Sequence, residues 1–314
     1  MSKKAATKFE YFVKYFREAE RMPNGSISFK INRQPYAEFE TLWMEREGRV
    51  MAVVKVVNTV AMEDVSACTK VLPCSFNVGG TIFHRAKEIK EEQLMMMKSP
   101  ELVFAAMLSP ELEELESLSV IGTTQFSRNR PNVGTGELGE WAGAPGERIA
   151  DACIDDFGRS CHELVLVPLE GHVATVVSSQ LRTVDDDTIT LCMAFDSQGP
   201  RFQRIPIVSG HLGGDGRASR DVMFVKLIVA AAFANRPLVY SADGDSEYAG
   251  QARRFIGHLE DRRVTLERLF DAVTAASNEV PRVDQFGLFD TILWIIDGRP
   301  QEEEEVDERV DEMA

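Results

Sequence analysis

The chain has 314 residues and a mass of 35.1 kDa, with 44% hydrophobic and 27% charged residues. These proportions are near those of an average globular protein, so they exclude a collagen-like chain, a disulfide scaffold and a chain disordered throughout. The formal net charge of −15 opposes general affinity for nucleic acids, which depends on neutralising phosphates, but it does not exclude a local basic groove.

Cysteine usage and hydropathy indicate the compartment. The five cysteines are an odd number at unmatched spacings, which is typical of reduced thiols in a cytoplasmic protein. No uncharged apolar run reaches the roughly 18–20 residues that a membrane span needs. We therefore expect a cytoplasmic protein with no membrane partner.

The first predicted element is an amphipathic helix over residues 4–21, where apolar side chains recur at helical spacing. Turn-forming residues at 23–25 end this helix. Its apolar stripe includes Phe9, Phe12 and Phe16. Two interpretations stay open: these rings belong to the core of their own subunit, or they anchor the helix on a neighbouring copy of the chain.

Strand and helix patterns then alternate as far as residue 122. Residues 27–31 alternate apolar and polar side chains and residues 50–60 are rich in valine, so both predict strands. A helical pattern covers residues 85–119. Within it the sequence Ser-Pro-Glu-Leu occurs at 99–102 and again at 109–112. Because serine followed by proline is a common helix start, we predict two short helices with a bend between them.

Residues 123–147 are dense in glycine and proline, so we predict a long loop or a linker there. This region divides the chain into residues 1–122, with a helix, strands and short helices, and residues 148–300, with a β-meander followed by helices. Residues 301–314 carry eight acidic side chains and one arginine. They predict a disordered acidic tail.

The strongest β pattern covers residues 163–208. Turn residues, which include the consecutive aspartates at 185–187, separate its apolar runs, so we predict adjacent antiparallel strands. The four runs lie at residues 164–167, 172–177, 188–195 and 203–208.

Helical patterns follow from residue 221, and residues 286–296 are apolar enough that they must be buried. The predicted fold is therefore α+β. A central antiparallel β region is flanked by N-terminal and C-terminal helices, with a long Gly-rich loop between the halves.

Two loops are candidate binding sites. Arg128 and Arg130 lie beside Phe126, and two cations with an aromatic ring can contact phosphate and stack a base of single-stranded nucleic acid. The second loop lies between a predicted strand and a predicted helix, where backbone N–H groups attract anions such as phosphate. Its glycines are Gly210, Gly213, Gly214 and Gly216.

The second loop departs from the known phosphate-binding patterns. Arg217, Ala218 and Ser219 stand where a P-loop requires Gly-Lys-Ser/Thr. A flexible connection remains the alternative interpretation. Elsewhere, the cysteines, aspartates and histidine within residues 151–162 lack the spacing of zinc ligands, and no esterase, metalloprotease or kinase motif occurs. The sequence therefore assigns no catalytic residue, no metal ligand and no cofactor.

Three functions stay open. The first is a self-assembling structural protein of viral coat or nucleoprotein type, which binds copies of itself and single-stranded nucleic acid, because no catalytic pattern matches and both chain ends offer apolar contact surface. The alternative is a magnesium-dependent enzyme that acts on a nucleotide or phosphorylated ligand at the Gly210–Gly216 loop, aided by carboxylates such as Asp151, Asp155 or Asp215. The third is an adaptor regulated by its acidic tail.

Overall fold

The computed structural model describes most of residues 9–79, 91–124 and 184–298 and two short stretches between them. The described residues are 9, 12–17, 19–20, 25–33, 35–59, 62, 65, 68–79, 91–124, 153–154, 160–169, 184–196, 205–211 and 219–298.

Seven strands form one mixed sheet in the order β1-β4-β6-β3-β7-β8-β2, and a short strand, β5, pairs with β6. Strands β6, β3, β7, β8 and β2 are mutually parallel, whereas β4 is antiparallel to both β1 and β6. The strands are β1 Ser28–Asn32, β2 Val54–Val57, β3 Thr69–Cys74, β4 Ser117–Thr123, β5 Cys153–Ile154, β6 Ser160–Pro168, β7 Ile207–Ser209 and β8 Leu238–Ser241.

Helices follow the strands and cover both faces of the sheet. They are α1 Tyr36–Arg46, α2 Glu91–Lys98, α3 Val103–Leu108, α4 Val184–Asp196, α5 Arg220–Ala234, α6 Ser246–Asp261, α7 Leu266–Ala276, α8 Val280–Phe286 and α9 Leu288–Ile296. A 3-10 turn at Pro100–Leu102 joins α2 to α3. None of the helices in the described ranges is long and apolar enough to cross a membrane.

The central strands are apolar on both faces because both faces are covered. Val71 of β3 packs into a core with α4 and α5, whereas the next residue, Leu72, packs into a second core with Met96 of α2 and Leu102. Alternate residues of one strand therefore enter opposite cores. Strands from both sides of residues 123–147 contribute to this single sheet.

The predicted antiparallel arrangement of the central strands is wrong, although the mixed α+β class is confirmed. β6 pairs with β3 in parallel, and β3 also pairs with β7 in parallel. Residues 188–195 belong to helix α4, and the aspartates at 185–187 lie in its first turn. This helix is buried from Thr188 to Phe195, so it lacks the polar stripe by which a helix is told from a strand in the sequence.

Several local predictions have clear outcomes. The Ser-Pro-Glu-Leu sequence at 99–102 begins the 3-10 turn and α3, but the copy at 109–112 is not helical. The apolar segment 286–296 is mostly buried as predicted, because α9 packs against α6 and α7, although Phe286 is 49% exposed. The predicted Gly-rich loop, apart from Thr123 and Thr124, and the acidic tail lie outside the described residues.

The N-terminal helical residues 9 and 12–17 place their phenylalanines in two environments. Phe12 is 5% exposed and belongs to the core of its own subunit. Phe9 and Phe16 are 59% and 53% exposed. The hydroxyl of Tyr15 donates to a carboxylate oxygen of Glu101 at 3.5 Å, which attaches this segment to the turn after α2.

Candidate active site at the carboxyl edge of the sheet

The five parallel strands end at one edge of the sheet, and the order of strands changes direction there. From β3 the chain first forms β4 and β6 on one side of β3, and then returns to form β7 on its other side. In open sheets of this type, ligands bind in the crevice outside the carboxyl ends of the strands at such a switch point. The crevice between the ends of β3 and β7 is therefore the candidate active site.

The loop after β3 lies close against the helices that follow it. Gly79 has a φ of +66°, a conformation that favours glycine, and a Cβ built there would lie 2.5 Å from Cε of Met96 and 2.7 Å from Cβ of Ala106. The N–H of Leu112 donates to the carbonyl of Phe76 at 2.8 Å. Residues 75–79 are therefore fixed in position at one wall of the crevice.

Helix α2 starts at this same edge. The turn after α2 lies at the opposite edge of the sheet. There the carboxylate of Glu101 accepts the N–H of Thr124 at 2.8 Å, and Thr124 follows the end of β4, which is antiparallel to β6. The first residues of α2, Glu91 and Glu92, therefore lie on the side of the crevice. Gln93 is completely buried.

Gly210, which directly follows β7, lies at the opposite wall. A Cβ built on Gly210 would lie 3.8 Å from the carbonyl oxygen of Ser241 and 3.9 Å from Cβ of Met62, which are ordinary contacts. Helix α5 begins beyond this loop at Arg220. Gly210 is thus close to the end of β8 and shortly before a helix N-terminus.

Arg220 joins the start of α5 to the end of β8. Its guanidinium donates to the carbonyl of Ala242 at 2.8 Å and to the carboxylate of Asp245 at 2.7 Å, and it lies 3.8 Å from the ring centre of Tyr248. It also donates to the hydroxyl of Tyr240 at 3.3 Å. These contacts hold the loop between β8 and α6 in place.

The carboxylates near Arg220 differ in their proton affinity. The N–H of Tyr248 and the guanidinium of Arg220 hold the pKa of Asp245 below its usual value. Burial raises the pKa of Asp221, although the charge of Arg220 opposes this. Burial likewise raises the pKa of Tyr240. Asp245 is therefore a fixed anion at neutral pH rather than a proton donor.

The structure places the sequence-predicted site residues as follows. Gly210 lies at the crevice, whereas Gly213, Gly214 and Gly216 are outside the described residues. Phe126, Arg128 and Arg130 are also outside them, as are Asp151, Asp155 and Asp215. Within the described ranges, no cluster of three or more His, Cys, Asp or Glu side chains could hold a metal ion. The nucleic-acid and inter-subunit roles stay predictions.

A sequence model of the family described as "Poly (ADP-ribose) glycohydrolase (PARG), Macro domain fold" matches residues 41–250. The chain belongs to this family. The matched range includes every strand from β2 to β8 and therefore all the loops at the carboxyl edge.

Two curated relatives come from Caenorhabditis elegans. Poly(ADP-ribose) glycohydrolase 1 is 26% identical over 274 residues, which cover 84% of this chain and 34% of that protein. Poly(ADP-ribose) glycohydrolase 2 is 24% identical over 298 residues, which cover 92% of this chain and 60% of that protein. The chain thus spans less than two thirds of either relative's length.

Two crystal structures of poly(ADP-ribose) glycohydrolase from Thermomonospora curvata also resemble the chain. The first has a TM-score of 0.43 and 13% identity. The second, bound to the inhibitor ADP-HPD, has a TM-score of 0.42 and 15% identity. Each comparison covers 79% of this chain and 99% of the other.

The hypothesis of a self-assembling coat protein or nucleoprotein is wrong, because the chain belongs to a glycohydrolase family. The alternative hypothesis, an enzyme acting on a nucleotide ligand, agrees better with the family. The site residues predicted from the sequence did not include residues 75–79 or the start of α2. The available signal was the buried strand 69–74 followed by Asn77, Gly79 and a helix that opens on two glutamates, a strand-loop-helix unit of a parallel sheet.

Proposed function

We propose that this chain binds an ADP-ribose unit in the crevice between β3 and β7 and hydrolyses the glycosidic bond that joins such units in poly(ADP-ribose). The supporting observation is the family match over residues 41–250, which covers both walls of a crevice at the switch point of the sheet.

The loop after β7 is proposed to hold the diphosphate. It leads from Gly210 to the N-terminus of α5, where free N–H groups and the helix dipole favour an anion. A Cβ at Gly210 would make only ordinary contacts, so packing does not require glycine at this position. A glycine there leaves room for close approach of a phosphate to the backbone.

In hydrolysis of a glycosidic bond by water, a carboxylic acid protonates the leaving oxygen as the bond to the anomeric carbon breaks, water attacks that carbon, and a carboxylate takes the proton that the water loses. Asp245 does not fit this role, because its pKa is lowered and its carboxylate is paired with Arg220. Glu91 and Glu92, at the start of α2, lie at the correct edge of the sheet. We propose that one of these two carboxyls is the general acid.

The proposal is tested by measuring release of ADP-ribose from poly(ADP-ribose) by the full chain. We expect Glu91→Gln or Glu92→Gln to lower kcat at least about 100-fold, the usual contribution of a general acid, with ADP-ribose affinity unchanged. Gly210→Ala should instead weaken ADP-ribose binding without lowering the melting temperature. A chain that neither binds ADP-ribose nor releases it from the polymer would exclude the proposal.

A further inference from the structure

A second cavity lies away from the crevice, between the start of α5, the middle of α6 and the start of α9, and has a volume of about 190 Å³. Its floor is aromatic. Phe255 and Phe289 stack with ring centres 4.5 Å apart and an interplanar angle of 16°. Leu288 and Leu293 complete the apolar surface. The cavity therefore has an apolar base beneath a polar rim, a lining that suits a flat ring with hydrogen-bonding edges.

The rim of the cavity is polar and accessible. Gln251, Arg254 and Asp290 line it and are exposed. Phe286, also at the rim, is 49% exposed. One amide, one cation, one carboxylate and one available ring thus surround an aromatic floor.

Most lining residues lie between positions 251 and 293, beyond the residues that match the family. Family membership therefore assigns no role to this cavity. Its volume is below the about 300–1,000 Å³ of pockets for drug-sized ligands. A complete ADP-ribose unit does not fit inside, whereas a single ring system does.

The polar groups select among flat rings. A glutamine amide pairs with adenine in two hydrogen bonds, to the exocyclic amine and to the neighbouring ring nitrogen, and a carboxylate accepts from an exocyclic amine. Aromatic side chains stack on bases, and an arginine nearby contacts the attached phosphate. Gln251, Asp290, Phe286 and Arg254 supply these functions in turn.

We propose that this cavity binds the adenine base of a nucleotide unit as a second site, separate from the crevice. Its biological ligand, the base of a neighbouring unit in poly(ADP-ribose), rests on the proposed function. Asp221, which lines the cavity, directly follows Arg220, which joins the start of α5 to the crevice edge. The cavity therefore lies at the start of α5, the helix that follows Gly210 of the crevice in the chain.

The test is a calorimetric titration of the full chain with adenosine alone, because ADP-ribose carries the same base and would fill the cavity as well as the crevice. We expect two adenosine sites per chain, one in the crevice and one in the cavity. Gln251→Ala should weaken binding at the cavity about tenfold, the effect of losing one paired amide contact, and leave binding at the crevice unchanged. The matched control is Gln285→Ala, an exposed glutamine on α8 outside the cavity, which should leave the affinity unchanged. Inosine, which lacks the exocyclic amine, should bind about tenfold more weakly than adenosine.

Either of two results would overturn the proposal: the same adenosine affinities in Gln251→Ala as in the wild type, or equal affinity of the cavity for inosine and adenosine. Supporting evidence from the polymer would be a higher KM for poly(ADP-ribose) in Gln251→Ala with unchanged affinity of the crevice for free ADP-ribose. If adenosine binds at the cavity as expected while the chain releases no ADP-ribose from the polymer, the proposed function fails and the base site stands.

Discussion

Replacing Gly79 by alanine tests whether the wall of the crevice is held as the structure shows. The residue has a φ of +66°, and an L-residue in this left-handed region costs roughly 1–2 kcal/mol. The new Cβ would also meet Met96 and Ala106 at 2.5 and 2.7 Å, and overpacking of this kind costs roughly 1–3 kcal/mol. We therefore expect Gly79→Ala to lower the free energy of unfolding by about 2–5 kcal/mol.

The assay is urea unfolding of the full chain, followed by circular dichroism, with the midpoint and slope fitted together. Gly257→Ala is the matched control, because Gly257 lies inside α6 and a Cβ there meets nothing within 4 Å. In a helix interior the same substitution should stabilise by roughly 0.5–1 kcal/mol. The two variants should thus shift the midpoint in opposite directions. A Gly79→Ala protein within about 0.5 kcal/mol of the wild type, the usual range for an inert surface change, would refute the reasoning.

Three further substitutions probe buried charges. Arg236→Met removes a guanidinium that donates to Thr69 at 2.7 Å and to two backbone carbonyls. It should lower the free energy of unfolding in urea by about 3–5 kcal/mol, and an unchanged free energy would contradict this. Lys226→Met leaves Asp187, its partner at 2.7 Å, unpaired and should cost a similar amount, most of which Lys226→Met/Asp187→Leu should recover; an equally unstable double variant would contradict this. Burial raises the pKa of Asp221 above 3.8, so the folded state holds this proton more tightly and loses stability as pH rises above that value. Asp221→Asn should therefore gain stability relative to the wild type as the pH rises from 4 to 7. A difference in free energy of unfolding that does not change with pH would contradict a raised pKa of Asp221.

Local patterns predicted helices that keep a polar face and short strands that are continuously apolar. The helix at Ser246–Asp261 keeps a polar face, so its apolar stripe is visible in the sequence. The run at 164–167 is a strand, within β6, because valine and leucine in a short run favour a covered strand. Helix α4 was predicted as a strand because its side chains from Thr188 to Phe195 are buried on every side, and the period of so short an apolar run does not distinguish a helix from a strand.

The sequence by itself determined a mixed α+β protein, the mostly buried C-terminal segment at 286–296 and the helix that begins near residue 221, because each depends on neighbouring residues. Only the tertiary structure decided the direction of the strands. β3, β6 and β7 pair across separations of many residues, and no local pattern distinguishes a parallel neighbour from an antiparallel one. The same holds for the crevice, since residues 75–79, Glu91 and Gly210 come together only when parallel strands end at one edge.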